Sequence, residues 1–212
     1  AACVAAQPFY WSIGDATQRL AGESLGTDAP SDTTPLAIAS ASKWIYAAWV
    51  AEQRHGHLSE EDVRFLQFRS GYTRFRICRP GQSVGGCANS LLNGGGRVDD
   101  STLGKFDYNG GHMQQHALRM GLGELDAAGL AGTVRATLAP VLGSDWALSY
   151  SQPQPAGGGV SSAADYGVFL RALVAGRLQL STLLGANAVC TQPRVCPGEA
   201  VKTPIPADEA WH

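Results

Sequence analysis

Ser40 and Lys43 lie three residues apart in the run Leu36-Ala-Ile-Ala-Ser-Ala-Ser-Lys-Trp-Ile-Tyr-Ala-Ala-Trp-Val-Ala51. The run is apolar and Ala-rich and predicts a buried helix. On a helix, this spacing sets the hydroxyl and the amine on one face, a turn apart. That arrangement suits a nucleophile and its base. With Ser40 opening the helix, its backbone N–H is free in a positive local field, where an oxyanion is stabilised. The same field, with burial, disfavours the ammonium form of Lys43. A neutral lysine can take the serine proton. The same residues also read as a helix start with a surface lysine. The apolar flanks argue against that, because long charged side chains are seldom buried without a reason. The chain has only three lysines, Lys43, Lys105 and Lys202.

A second polar cluster is Phe106-Asp-Tyr-Asn-Gly-Gly-His-Met-Gln-Gln-His116. Tyr108 and Asn109 precede a Gly-Gly pair at a predicted helix start. A tyrosine there can shuttle a proton where a nearby lysine favours its phenolate; otherwise it serves as an aromatic anchor for the loop. His112 and His116 are four apart, and no third ligand accompanies them. They read as helix-surface histidines, and neither metal nor cofactor is expected.

The elements that must position these groups follow from the pattern along the chain. Residues 8–14 and 18–26 predict two strands around an Asp15-Ala-Thr turn. The Ser40 helix runs to about His55, with Gly56 as its stop. Ser59-Glu-Glu-Asp62 opens a short helix as a capping box. Residues 70–107 are mostly loop. Helices return at 112–120, 125–138 and 163–174, the last with Ser162 and Asp165 at its cap. Strands come first and helices dominate the middle, an α+β order.

The 212 residues suffice for a substantial core. Net charge is −2 with scattered basic residues, which gives no footing for nucleic acid or an anionic membrane surface. No apolar run approaches a membrane span, and no signal peptide is visible. Cys78 and Cys87, and Cys190 and Cys196, sit close in loop-like stretches. They predict two local disulfides and an oxidising compartment, secreted or periplasmic. Cys3 is left over, either paired outside this chain or lipid-bearing.

Four segments, in order, resemble the serine β-lactamase and penicillin-binding-protein superfamily, especially its class C and esterase-like branch. Ile38-Ala-Ser-Ala-Ser-Lys43 resembles its Ser-x-x-Lys helix. Leu66-Gln-Phe-Arg-Ser-Gly-Tyr72 resembles a Leu-Leu-x-x-x-Ser-Gly segment, and Phe106-Asp-Tyr-Asn-Gly110 the Tyr-x-Asn region. Gly158-Gly-Val-Ser-Ser-Ala-Ala-Asp-Tyr-Gly-Val-Phe-Leu170 resembles a Gly-Gly-x-x-Ser-Thr-Ala-x-Asp-Leu-x-x-Phe helix. The resemblance implies a β-lactamase/transpeptidase-like fold, with an antiparallel sheet flanked by helices and a mostly helical lobe. Residues 1–69 would give the strands and nucleophile helix, 70–186 the helical lobe and 187–212 a Pro-rich segment. It also implies that Ser40 is acylated, that Lys43 accepts its proton and that Tyr108 is the second acid/base. The Ser40 N–H would form half of the oxyanion hole. Gly110 departs from the family, which often has Asn there, so Asn109 and His112 are the candidates for contacting substrate. The implied activity is acyl transfer on a small or oligomeric ester or amide. The rival reading is a catalytically inactive relative that binds peptides or cell-wall fragments.

The family's third motif has one candidate here, Val201-Lys-Thr-Pro204, where Pro replaces the glycine. Residues 197–206 read as loop. Two strands are too few for a stable sheet. The expectation is therefore an incomplete sheet, processing near His212, and a second polypeptide that completes the fold.

Overall fold

A computed structural model of the protein describes residues 4–206. Cys3 and His212, and the expectations attached to them, lie outside the described residues. Strands β1 (Phe9–Gly14) and β2 (Arg19–Leu25) pair antiparallel, from Phe9 opposite Leu25 to Gly14 opposite Arg19. The Asp15 turn that joins them is closed by the carboxylate, which accepts from the backbone N–H groups of Thr17 and Gln18. The chain then enters β3 (Leu36–Ala37) and α1 (Ser42–Gln53). Helix α1 ends where His55 and Gly56 both turn to positive φ, 49° and 79°. Next come α2 (Glu60–Leu66), α3 (Val84–Ala88), β4 (Phe106–Asp107), α4 (Gly111–Ala117) and α5 (Ala127–Leu142). The chain finishes with β5 (Ser149–Tyr150), β6 (Gly159–Ser161), α6 (Ala163–Val174) and β7 (Ala200–Lys202).

The architecture is α+β, with small open sheets flanked by helices. Among the described residues the strands form three separate sheets, β1-β2, β3-β6-β5 and β4-β7. The first two are antiparallel and β4-β7 is parallel. The loop expected over 197–206 is thus interrupted by β7. Its residues pair with β4 because the Phe106 and Tyr108 N–H groups find carbonyls at Glu199 and Lys202. Helix α5 also runs further than its apolar pattern suggested, through Pro140, because Leu142 remains buried at its end.

The core gathers on α1, whose Ile45, Tyr46, Ala48, Val50 and Ala51 have no exposed surface. Leu130, Val134 and Leu138 of α5 and Phe169 and Ala172 of α6 close over it. The Cys78–Cys87 and Cys190–Cys196 disulfides are both formed. Cys87 lies on α3, so the first bridge ties the 72–82 loop to that helix. No helix among the described residues is long and apolar enough to cross a membrane.

His112 and His116 are not on the surface. They are 0% and 1% exposed, because α4 is buried on all sides between α2 and α3. His116 joins a polar chain through the core. Its Nε2 is 2.9 Å from Asp62 Oδ1 and its Nδ1 is 2.9 Å from the Tyr46 hydroxyl. Asp62 also accepts two bonds from Arg54 and reaches back to the Ser59 N–H, completing the predicted capping box. One carboxylate therefore starts α2, clamps the end of α1 and fixes α4. Burial works to raise its pKa, but the hydrogen bonds from Arg54, Ser59 and His116 outweigh it and hold the carboxyl well below the usual range. Burial also lowers the His116 pKa, against the pull of Asp62, and keeps the ring neutral.

Both groups bind fewer protons folded than unfolded, so both withdraw stability as pH falls. The His116 contribution starts to disappear below its unfolded value of about 6.5, and the Asp62 contribution below about 3.9. Asp62→Ala should cost about 2 kcal/mol at pH 7.5, because it leaves the buried His116 Nε2–H without its acceptor and removes half of the α2 capping box. The variant should also lose less stability than the native chain between pH 5 and 3. Urea unfolding across that range checks both; equal curves for the two proteins would contradict the account.

Candidate active site

The turn that carries Ser40 is built by close contact between backbones. Residues Ala39–Ala41 form a single 3₁₀ turn ahead of α1. Ala39 is forced to φ 43°, a strained value for a residue with a side chain. Strand β6 holds this turn. Gly159 O accepts from the Ile38 N–H at 2.9 Å, and the Gly159 N–H donates to Ser42 Oγ at 3.1 Å. Ser42 Oγ in turn donates to Ala39 O at 2.6 Å. A Cβ at Gly159 would lie 2.7 Å from Ser42 Oγ, and one at Gly158 would lie 2.5 Å from Gln152 O. Only glycine lets the strand come this near. From the other side, the Tyr166 hydroxyl of α6 donates to Ala41 O.

Ser40 Oγ faces solvent, with Lys43 Nζ 3.0 Å away. The amine also donates to Ala156 O at 2.8 Å. Tyr108 completes the group: Nζ lies 4.9 Å from its ring centroid. Burial lowers the Lys43 pKa, while the neighbouring phenol works to raise it. A neutral amine has two N–H donors and one lone pair. With one N–H committed to Ala156, its lone pair can be offered to the serine hydroxyl. Tyr108 itself is fixed at the end of β4, where its N–H donates to Lys202 O at 2.9 Å. Its ring packs on Phe68, 5.3 Å between centroids.

The other two residues expected to touch substrate are engaged elsewhere. Asn109 borders the cleft, but its Oδ1 accepts from the N–H groups of Phe75 and Gly111 and its Nδ2 donates to Phe75 O. The amide braces the loop above and starts α4. His112 does not reach the cleft. Its Nδ1 accepts from Ser70, and its Nε2 donates to Asp107 O at 2.8 Å. Burial lowers its pKa to about 4, so it stays neutral.

The cleft divides around Ser40, Lys43 and Tyr108. A polar arm of about 300 Å³ is bordered by Phe75, Arg76, Gln154 and Gly157. An apolar arm of about 330 Å³ is bordered by Trp44, Leu66, Phe68, Met113 and Leu180. The sequence reading missed Gln154, Ala156, Trp44 and Leu180. Gln154 has a legible counterpart, the Gly157-Gly-Gly159 run, because glycines beside a polar residue often mark close backbone approach. Nothing local marks Ala156, whose contribution is a main-chain carbonyl. Lys202, expected in a loop, borders the neighbouring groove with Arg74, Arg76 and Asn109. Among the described residues no group of three His, Cys, Asp or Glu could hold a metal ion.

No family model matches the sequence, and no curated protein matches it. Solved structures do. One, described as a "putative beta-lactamase" from Bacteroides dorei DSM 17855, superposes with a TM-score of 0.54 at 18% identity. The match covers 77% of this chain and 57% of that one. A β-lactamase from Mycobacterium bovis matches at 18% identity with a TM-score of 0.40, over 77% of this chain and 54% of that one. The chain thus spans a little over half the length of the structures it matches. Its fold is β-lactamase-like.

Proposed function

We propose that the chain is an exported serine hydrolase that works by acyl transfer on an ester or amide, within the class C and esterase-like branch. The observation that carries this reading is Lys43 Nζ, half-buried and 3.0 Å from Ser40 Oγ, at the junction of two cleft arms. Ser40 Oγ attacks the acyl carbon as Lys43 Nζ takes its proton. The Ser40 N–H faces the oxyanion that forms. The tetrahedral species expels the leaving group, which receives a proton from the Lys43 ammonium or, through it, from Tyr108. Water then attacks the Ser40 ester, giving its proton back along the same pair, and frees the acid. Asn109 and His112 act as scaffold in this reading. The two disulfides support export.

The second polypeptide belongs to the same reading. Among the described residues the ribbon β1-β2 pairs with no other strand, and a groove of about 540 Å³ lies between it and α6. Ile13, Leu170 and Val174 stand exposed along this groove. A further length of polypeptide seated there would cover these side chains and bring a second oxyanion donor within reach. Mass analysis of active material tests this: full activity from these 212 residues alone would refute it.

A fluorophosphonate should modify Ser40, mapped by peptide mass spectrometry. Labelling at another serine on active protein would overturn the assignment. Ser40→Ala should lower turnover by several orders of magnitude.

Activity should rise with pH as the Lys43 ammonium loses its proton, with a midpoint below the ordinary lysine value of about 10.4. Lys43→Arg should cost on the order of 10³-fold in kcat, because guanidinium does not act as a base. Tyr108→Phe should move the amine midpoint down, since the phenol is what opposes the effect of burial. Amine acylation rates against pH report that midpoint without turnover. An upward shift would remove Tyr108 from the assignment.

A further inference from the structure

The two arms of the cleft differ in chemistry, and a substrate centred on Ser40 must use both. In the polar arm, the Gln154 amide lies between Gly110 and Gly157, where a Cβ on either would stand 3.3 Å from its Nε2. Its side chain and that of Arg76 have no hydrogen-bond partner among the described residues. This arm suits a polar leaving group that departs into water. The apolar arm is bordered, beyond the shared Ser40, Lys43 and Tyr108, by hydrocarbon side chains, the Trp44 indole and the Met113 thioether. Trp44 forms its rim. It follows Lys43 on α1, yet it is 47% exposed, and no aromatic ring stacks on it among the described residues. Phe68 is held on the opposite side at φ 59°, which turns its ring onto Tyr108. A strained residue and an uncovered indole therefore border a single apolar slot that opens at the nucleophile.

We propose that this slot is the acyl subsite, and that the chain takes carboxylic esters whose acyl group is a straight aliphatic chain of several carbons. This rests on the reading of Ser40 as nucleophile and adds the substrate class. The chemistry is self-consistent. An aliphatic chain lying against Trp44 and Phe68 displaces water from beside Lys43 and leaves the amine drier. The acyl chain then favours the neutral base that its own transfer requires. The incoming water for deacylation arrives along the Gln154 arm, which stays wet.

The test is the rate at which p-nitrophenyl alkylphosphonates modify Ser40, with methyl, butyl and hexyl chains, followed by mass spectrometry on the full chain. Each buried methylene favours binding about fourfold when fully covered. A partly open slot should give a total rise of about tenfold or more from methyl to hexyl. Trp44→Ala should bring the hexyl-to-methyl ratio close to one. Modification of Ser40 at rates independent of chain length would overturn the inference and leave the nucleophile in place. A ratio that rises equally in Trp44→Ala would overturn the assignment to this slot. No modification of Ser40 by any of the three would remove the nucleophile, and the inference with it. The native series is informative whatever the variant does. Trp44 is half-exposed, so its removal opens no core cavity.

Discussion

The turn bearing Ser40 is held against the backbone of Gly159 at a separation that admits no side chain there. Gly159 bonds both ways, to Ile38 and to Ser42, and three residues earlier Ala156 offers the carbonyl that fixes Lys43. Ser40 and Lys43 are thus both oriented by one stretch of main chain. The strain at Ala39 is tolerated because Ser42, Gly159 and Tyr166 together over-determine the turn. An acidic side chain could have supplied a hydrogen-bond acceptor for Lys43. A backbone carbonyl does so without a charge, and an added negative charge would have favoured the ammonium form.

Behind the turn, the orientation of α1 depends on its far end. Arg54 and Tyr46 are both engaged by the Asp62–His116 pair, which crosses from α2 to α4. Tyr108 lies just before α4, so the same pair bears on the distance between the phenol and Lys43. A buried ionic cluster of this kind is a weak source of net stability. Its effect is geometric: it fixes the angle between the helix that carries Lys43 and the segment that carries Tyr108.

The sequence made the local features legible and the long-range ones obscure. The contact between Ser40 and Lys43 was legible because a single turn sets them together whatever the rest of the chain does. The caps at Ser59 and Ser162 were readable for the same reason, since their partners lie three residues away. The β1-β2 hairpin followed from its turn. His112 and His116 were misplaced because their hydrophilic type suggested water, while α4 is enclosed by elements distant in the chain. Nothing in the sequence signalled that Phe75 would engage the Asn109 amide. Strand β7 escaped because three residues carry no period, and its pairing is with a segment nearly a hundred residues earlier. The expectation of an α+β fold survived, since element order alone supports it.

The Cys78–Cys87 bridge has a consequence for where the molecule is made. Around it the Asn93 amide binds Cys87 O, Ile77 and Arg76, and the Cys78 N–H donates to Gln152 Oε1. Phe75 and Arg76, which face Ser40 across the polar arm, hang from this knot. Ser40 and Lys43 sit three residues apart on their own turn of chain, and their contact does not pass through the bridge. A chain synthesised under reducing conditions would hold Ser40 and Lys43 together opposite an unfastened wall. Oxidation of this one bridge is thus the step that fastens the far side of the cleft.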